Sequence, residues 1–177
     1  IRSITIVGGG TAGWLAANHL ARALKSNTSE GIQITVVESP NIPPIGVGEG
    51  TVPLIRKTLQ DLGISETEFI NSCDVTFKQG IKFVDWVNNP IEGKVDYYHH
   101  IFDYPQTEPV DLTGYWLKQL NKTTTSFVDS VSVQGEICDL GLAPKTITTP
   151  EYQGNTAYAY HLDAGKFSTL LMNNAVK

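Results

Sequence analysis

The stretch that most constrains this chain runs from residue 4 to residue 38. Ile4-Thr5-Ile6-Val7 is a short apolar strand, and Gly8-Gly9-Gly10-Thr11-Ala12-Gly13 follows it without a break. Residues 14–25 have helical periodicity, and a second strand over residues 32–37 ends on Glu38. Strand, G-x-G-x-x-G, helix, strand and acid is the order of a βαβ unit that holds a dinucleotide. Gly8 allows the tight turn, Gly10 lets a pyrophosphate approach bare backbone, and Gly13 lets the helix pack closely on the strand. The diphosphate would rest on the free N–H groups of a helix that opens near Gly10 and includes Thr11 and Ala12. Glu38 stands where a carboxylate accepts hydrogen bonds from adenosine ribose hydroxyls. The alternative is a glycine-rich turn that holds no ligand, which leaves the surrounding strand, helix and acid unexplained.

With 177 residues the chain is long enough to bury one core. Its 13 Lys and Arg against 18 Asp and Glu give a net charge of −5, and no basic run exists. Binding to nucleic acid or to an anionic membrane is therefore not expected as a main function. No apolar stretch approaches the length of a transmembrane helix, about 18 residues or more. The nucleotide fold starts at residue 4, so no secretory signal is read and a cytoplasmic location is expected. Cys73 and Cys138 are far apart and match no metal spacing, which reads as two buried thiols.

After Glu38, residues 39–50 are too rich in Pro and Gly for helix or strand, and read as a loop that starts at the cofactor. Residues 53–62 read as a helix that opens on Pro53 and stops at Gly63. Ser65 and Glu68 have capping-box spacing for a short helix. Residues 76–87 favour a strand, with Gly80 marking a bulge or a close approach. Lys78 and Lys82 lie on it; the aromatic residues beside them would suit a partly desolvated amine, but composition alone reads each as a solvated strand lysine. Residues 96–105 are the most aromatic segment. His99 and His100 are adjacent and point to opposite faces of a strand, which disfavours a metal site.

Residues 112–120 read as a helix, residues 121–150 as loop or lid, and Asp163 as the N-cap of a helix through about Val176. On the first helix, Leu15, Ala16, Leu20, Ala23 and Leu24 are expected to face the core, with His19 on the surface. No second helix–strand alternation supplies the further parallel strands that such a sheet needs. The chain is therefore expected to be the N-terminal piece of a longer protein, or one of several pieces of it.

Three segments together resemble the N-terminal third of the flavin-dependent halogenases of the tryptophan-halogenase type. They are residues 8–14, residues 45–53 (Ile-Gly-Val-Gly-Glu-Gly-Thr-Val-Pro) and residues 77–86 (Phe-Lys-Gln-Gly-Ile-Lys-Phe-Val-Asp-Trp). The resemblance implies an α/β fold: a Rossmann-like FAD-binding domain of the glutathione-reductase/monooxygenase kind, incomplete in this chain. Residues 1–177 would be the first part of a single module, with the rest of the same polypeptide completing it. It also implies FAD, delivered reduced by a separate flavin reductase, with dioxygen and a halide ion as co-substrates. In that family a flavin C4a-hydroperoxide oxidises the halide, and hypohalous acid travels to a lysine beside an electron-rich aromatic ring, often an indole.

Carried over position by position, the catalytic lysine is Lys78, while Lys82 matches a family position without that role. An amine in a dry pocket can donate a hydrogen bond to hypohalous acid or form a haloamine, which aims the oxidant. The strap between flavin and substrate falls on residues 46–51, so Val47, Gly48 and Glu49 join Gly8, Gly10, Thr11, Ala12, Gly13 and Glu38 as cofactor residues. His100 and Phe102 resemble the His-x-Phe that sandwiches the aromatic substrate. The doubled histidine leaves that register ambiguous by one. The family's Trp-x-Trp-x-Ile-Pro signature is absent from these residues, as is the glutamate that partners the lysine. A homodimer is compatible with the resemblance. A flavoprotein monooxygenase that hydroxylates its substrate, and an inactive nucleotide-binding fragment, remain as alternatives. The glycine fingerprint alone would also accept NAD; the Pro/Gly loop after Glu38 is what favours flavin.

Overall fold

The structure is a computed structural model that describes all residues except 43–45, 106–107, 123 and 177. The chain divides into two compact units: residues 1–76 with 159–177 form the first, and residues 77–158 the second.

The first unit begins with β1 (Ser3–Val7), α1 (Thr11–Ala23) and β2 (Gln33–Val37). β1 and β2 are parallel, in register from Ser3 opposite Gln33 to Val7 opposite Val37. This is the βαβ unit expected from the glycine loop. The chain continues through β3 (Gly48–Gly50), α2 (Leu54–Asp61) and α3 (Glu66–Ser72). Gly63 ends the α2 turn with φ +74°. Ser65 caps α3, its Oγ accepting from the Glu68 N–H at 3.0 Å. β4 (Thr76–Lys78) carries the chain into the second unit.

That unit holds the antiparallel pair β5 (Gly80–Val84) and β6 (Tyr97–Ile101), then α4 (Thr113–Gln119), α5 (Phe127–Val131) and α6 (Gln134–Asp139). β7 (Ala159–Asp163) and α7 (Ala164–Ala175) return to the first unit. Asp163 caps α7 as expected, accepting from the Lys166 N–H at 2.8 Å.

Several expectations need correction. Within residues 39–50, Gly48–Gly50 is a strand, antiparallel to β7 with Glu49 opposite Leu162. Pairing with a distant segment overrides the poor strand propensity of glycine; residues 43–45 of that loop lie outside the described residues. The 76–87 strand is interrupted at Gln79, not at Gly80. Gly80 instead serves the close approach, since a Cβ there would lie 2.6 Å from the His100 carbonyl oxygen. Residues 121–150 are not all loop, because α5 and α6 lie within them. Both are too short for periodicity to reveal, although the Ser126 cap of α5 is a local signal.

The buried face of α1 is also different. Trp14, Ala17 and Asn18 are buried, whereas Ala16 and Ala23 are exposed. The cause is α7, which packs along α1. Asn18 Nδ2 donates to the carbonyls of Trp14 and Leu171, both at 2.8 Å, and its Oδ1 accepts from Asn174 Nδ2 at 2.8 Å. Behind these helices lies a core of Leu59, Phe69, Tyr160, Phe167 and Leu171, all with 0% exposure. Phe69 meets Tyr160 and Phe167 edge-on, with ring centroids 5.0 and 5.3 Å apart. Tyr160 also donates to the buried Glu66 carboxylate at 2.7 Å.

Candidate functional site

Two groups of candidate residues take shape, one in each unit. In the first, β1 delivers the chain to Gly8, whose φ of +118° an L side chain rarely adopts. The Gly8 N–H donates to the Val37 carbonyl at 2.9 Å, which fixes the turn against the end of β2. α1 then starts with Gly10 in extended conformation and no side chain capping its first N–H groups. Such an end presents free donors and a partial positive charge.

Gly13 packs against the turn, where a Cβ would fall 1.9 Å from the Gly8 carbonyl oxygen. At Gly10 a Cβ would meet nothing within 4 Å, so the backbone there is open to a ligand. Glu38 folds over the loop, and a Cβ on Gly9 would collide with its Oε2 at 1.5 Å. Gly9 lies outside the G-x-G-x-x-G consensus, so sequence reasoning gave it no task. Its place as the middle glycine of three in a row was the available signal.

β3 sits beside this loop. Thr11 Oγ1 donates to Glu49 Oε2 at 3.2 Å, which joins the first turn of α1 to the strand containing Gly48 and Glu49. The Val47 carbonyl accepts from the Ala164 N–H at 3.2 Å, while the Val47 side chain is exposed. Gly8, Gly10, Thr11, Ala12, Gly13, Glu38, Val47, Gly48 and Glu49 thus belong to one unit, and the Thr11–Glu49 hydrogen bond ties its two loops together. An open backbone at Gly10, an uncapped helix end and a carboxylate folded over the glycine turn fit the phosphates and ribose of a dinucleotide.

The second group is built on β4, β5 and β6. Lys78 is half-buried, with its Nζ 5.6 Å from the centroid of the Phe102 ring. Phe102 follows β6, and its N–H donates to the Gln79 carbonyl at 3.1 Å. The structure therefore brings together the lysine and the phenylalanine singled out from sequence. His100 lies opposite Ile81 in the β5–β6 ladder and is exposed.

The neighbouring lysine and histidine are engaged elsewhere. Lys82 Nζ donates to Asp139 Oδ1 at 2.8 Å and lies 3.9 Å from the Tyr97 ring centroid. His99 Nε2 approaches the same Asp139 oxygen at 3.3 Å. The hydrogen bond from Lys82, together with the charge of His99, holds the Asp139 carboxyl below the usual carboxylate range. The same hydrogen bond raises the Lys82 ammonium above its ordinary value. Asp139 was not foreseen, because it lies on α6 within the stretch read as loop.

Other chemistry finds less support. Burial, followed by the charges of Asp163 and Asp74, pushes the Cys73 thiol up to about 12, which keeps it protonated. Cys138 is only partly buried, a correction to the reading of two buried thiols. Among the described residues, no group of His, Cys, Asp and Glu could hold a metal ion, and no helix is long and apolar enough to cross a membrane.

Comparison with known proteins places these groups in context. The tryptophan halogenase family model matches residues 3–177. Tryptophan 6-halogenase ThaL of Streptomyces albogriseolus is 35% identical over 190 aligned residues, which cover 99% of this chain and 34% of that protein. A crystal structure of a tryptophan halogenase from Shewanella frigidimarina NCIMB 400 superposes with a TM-score of 0.90 at 42% identity, covering 99% of this chain and 34% of that one. A flavin-dependent halogenase from Xanthomonas campestris gives a TM-score of 0.80 at 31% identity, with 99% and 33% covered. The chain thus spans about a third of the length of the relatives it matches.

Proposed function

Because this chain belongs to the tryptophan halogenase family, we propose that the protein containing it is an FAD-dependent halogenase acting on an electron-rich aromatic substrate such as tryptophan or another indole. The observation that carries this reading is the half-buried Lys78 amine facing the Phe102 ring.

In this proposal the free N–H groups of Thr11, Ala12 and Gly13 hold the diphosphate beside the bare backbone of Gly10. Glu38 accepts from the ribose hydroxyls, and Val47, Gly48 and Glu49 line the path towards the ring system. When bound, reduced FAD supplies the power to turn dioxygen and chloride or bromide into hypohalous acid; a separate flavin reductase supplies the reduced form. Lys78 then acts on the oxidant. Its ammonium donates a hydrogen bond to the oxygen of hypohalous acid and passes it a proton as the oxygen–halogen bond breaks, so that the oxygen leaves as water. The electron-poor halogen bonds to a ring carbon of the substrate, and the proton that the ring then loses returns to the Lys78 amine. Phe102 and His100 form the walls that hold the substrate plane beside the amine.

The test uses the full-length protein with FAD, a flavin reductase, both halides and a panel of indoles. Lys78→Ala is expected to lose halogenation while flavin titration is unchanged. Normal halogenation by that variant would refute the role of the lysine. A product that gains oxygen and no halogen would refute the reaction itself.

A further inference from the structure

Gln134 is a polar residue with 0% exposure, at the start of α6. Its side-chain oxygen Oε1 accepts two hydrogen bonds, from the N–H of Phe102 at 2.8 Å and from the N–H of Asp103 at 2.9 Å. Its Nε2 donates to the Ala157 carbonyl at 2.6 Å. A second layer encloses this amide. Ser132 Oγ accepts from the Gln134 N–H at 3.0 Å and donates to Asp103 Oδ2 at 2.9 Å, while Asp103 Oδ1 accepts from the Ala157 N–H at 2.7 Å. On the other side, Gln79 Nε2 donates to the Leu142 carbonyl at 2.8 Å, and Gln79 Oε1 accepts from Thr156 at 3.2 Å. Both hydrogen bonds that Gln134 Oε1 accepts thus fall where the chain leaves β6, at Phe102, whose ring faces Lys78, and at the next residue.

An apolar side chain of similar volume would fill the space without the cost of burying an amide. The amide does what an apolar group cannot: it fixes two consecutive backbone N–H groups, and with them the direction of the Phe102 Cα–Cβ bond. We propose that Gln134 is a positioning residue for the halogenation site: it sets the distance and angle between the Phe102 ring and the Lys78 amine, and through them the ring carbon of the substrate that is halogenated. Gln134 touches neither substrate nor oxidant. The inference rests on the halogenase reading above.

The experiment compares full-length wild type with Gln134→Met, which keeps the length and removes both hydrogen-bonding functions, and with Gln134→Glu, which keeps an acceptor oxygen for the two N–H groups. Gln134→Met is expected to lower kcat/KM for the aromatic substrate by about tenfold to a hundredfold. It should yield a mixture of halogenated regioisomers where wild type favours one, and speed hydrogen exchange at the Phe102 and Asp103 amides, with flavin titration unchanged. Gln134→Glu is expected to restore slow exchange and the wild-type regioisomer. Wild-type kcat/KM and regioisomer pattern in Gln134→Met would overturn the assignment. If Gln134→Met does not fold, Gln134→Glu decides by the coupling of the two readouts: amide exchange and regioisomer pattern that stay wild-type together or change together support the role, and a change in one without the other overturns it. Absence of halogenation by the wild-type enzyme would overturn the halogenase reading and this inference with it, whereas an indifferent Gln134→Met beside an active wild type overturns this inference alone.

Discussion

A methyl group added at Gly13 would fall 1.9 Å from the carbonyl oxygen of Gly8, whereas one added at Gly10 meets nothing within 4 Å. The same substitution therefore separates a folding role from a binding role, three residues apart in one loop. Gly13→Ala must displace backbone, because its obstacle is a carbonyl that cannot rotate away as a side-chain tip can. It is expected to cost about 1–3 kcal/mol of stability, read as a lower urea midpoint for the full-length protein. Gly10 has φ −79°, which alanine adopts freely. Gly10→Ala should therefore keep the wild-type midpoint and weaken FAD binding, because its methyl would occupy the space through which the phosphates approach. A Gly10→Ala protein that titrates flavin as tightly as wild type would show that the pyrophosphate does not pass this backbone. The G-x-G-x-x-G pattern foretold the close packing at Gly13, since that constraint lies within six residues of chain, and the pyrophosphate approach it implies at Gly10 is what the flavin titration decides. It could not foretell Gly9, whose constraint comes from the side chain of Glu38, far along the sequence.

Among the elements, α6 shows how much more can depend on a short helix than its sequence announces. Its six residues place Gln134, the first, at the β6 exit and Asp139, the last, against Lys82 and His99. Asp139 is held below its ordinary value of 3.8, so its contribution to stability is complete above that value and is lost as pH falls through the lowered native one. Lys82 is raised above 10.5, so its contribution is complete below that value and is lost as pH rises through the raised one. The two windows overlap across neutral pH. Asp139→Asn is expected to melt at most a few degrees below wild type near neutral pH, since the pair with Lys82 is solvent-screened. The two melting curves should converge in stronger acid, where the wild-type carboxyl is also neutral. A difference that persists there would mean that the carboxylate charge is not what joins α6 to β5 and β6.

Elements with a local signal were legible in sequence: β1, α1 and β2 from their pattern, α3 and α7 from the Ser65 and Asp163 caps. Those made by distant partners were not. β3 is a strand because β7 lies beside it, and β7 itself went unread. Of the second group, Lys78 and Phe102 were legible through family motifs, whereas Gln134 and Asp139 act through contacts that no short window contains.

At the scale of the molecule, the first unit is assembled from two stretches separated by the whole of the second. Residues 1–76 supply the glycine loop and helices α1 to α3, and the buried face of α1 also meets α7, which comes only after the second unit. Leu171 sits where this closure is made: its side chain has 0% exposure, and its carbonyl accepts from Asn18 of α1. Truncation at this position removes buried methyl groups while the backbone hydrogen bond can remain. Leu171→Ala is therefore expected to destabilise the first unit by about 2–5 kcal/mol, the cost of a buried leucine cavity that cannot fully collapse. Hydrogen exchange on the full-length protein would locate the effect. Faster exchange is expected along both α1 and α7, since one packs on the other, and the amides of the glycine loop should follow because α1 fixes Gly13 against Gly8. If exchange quickened in α7 alone and left α1 unchanged, the returning helix would be a passive cover, and the glycine loop would owe its shape to residues 1–76 without it.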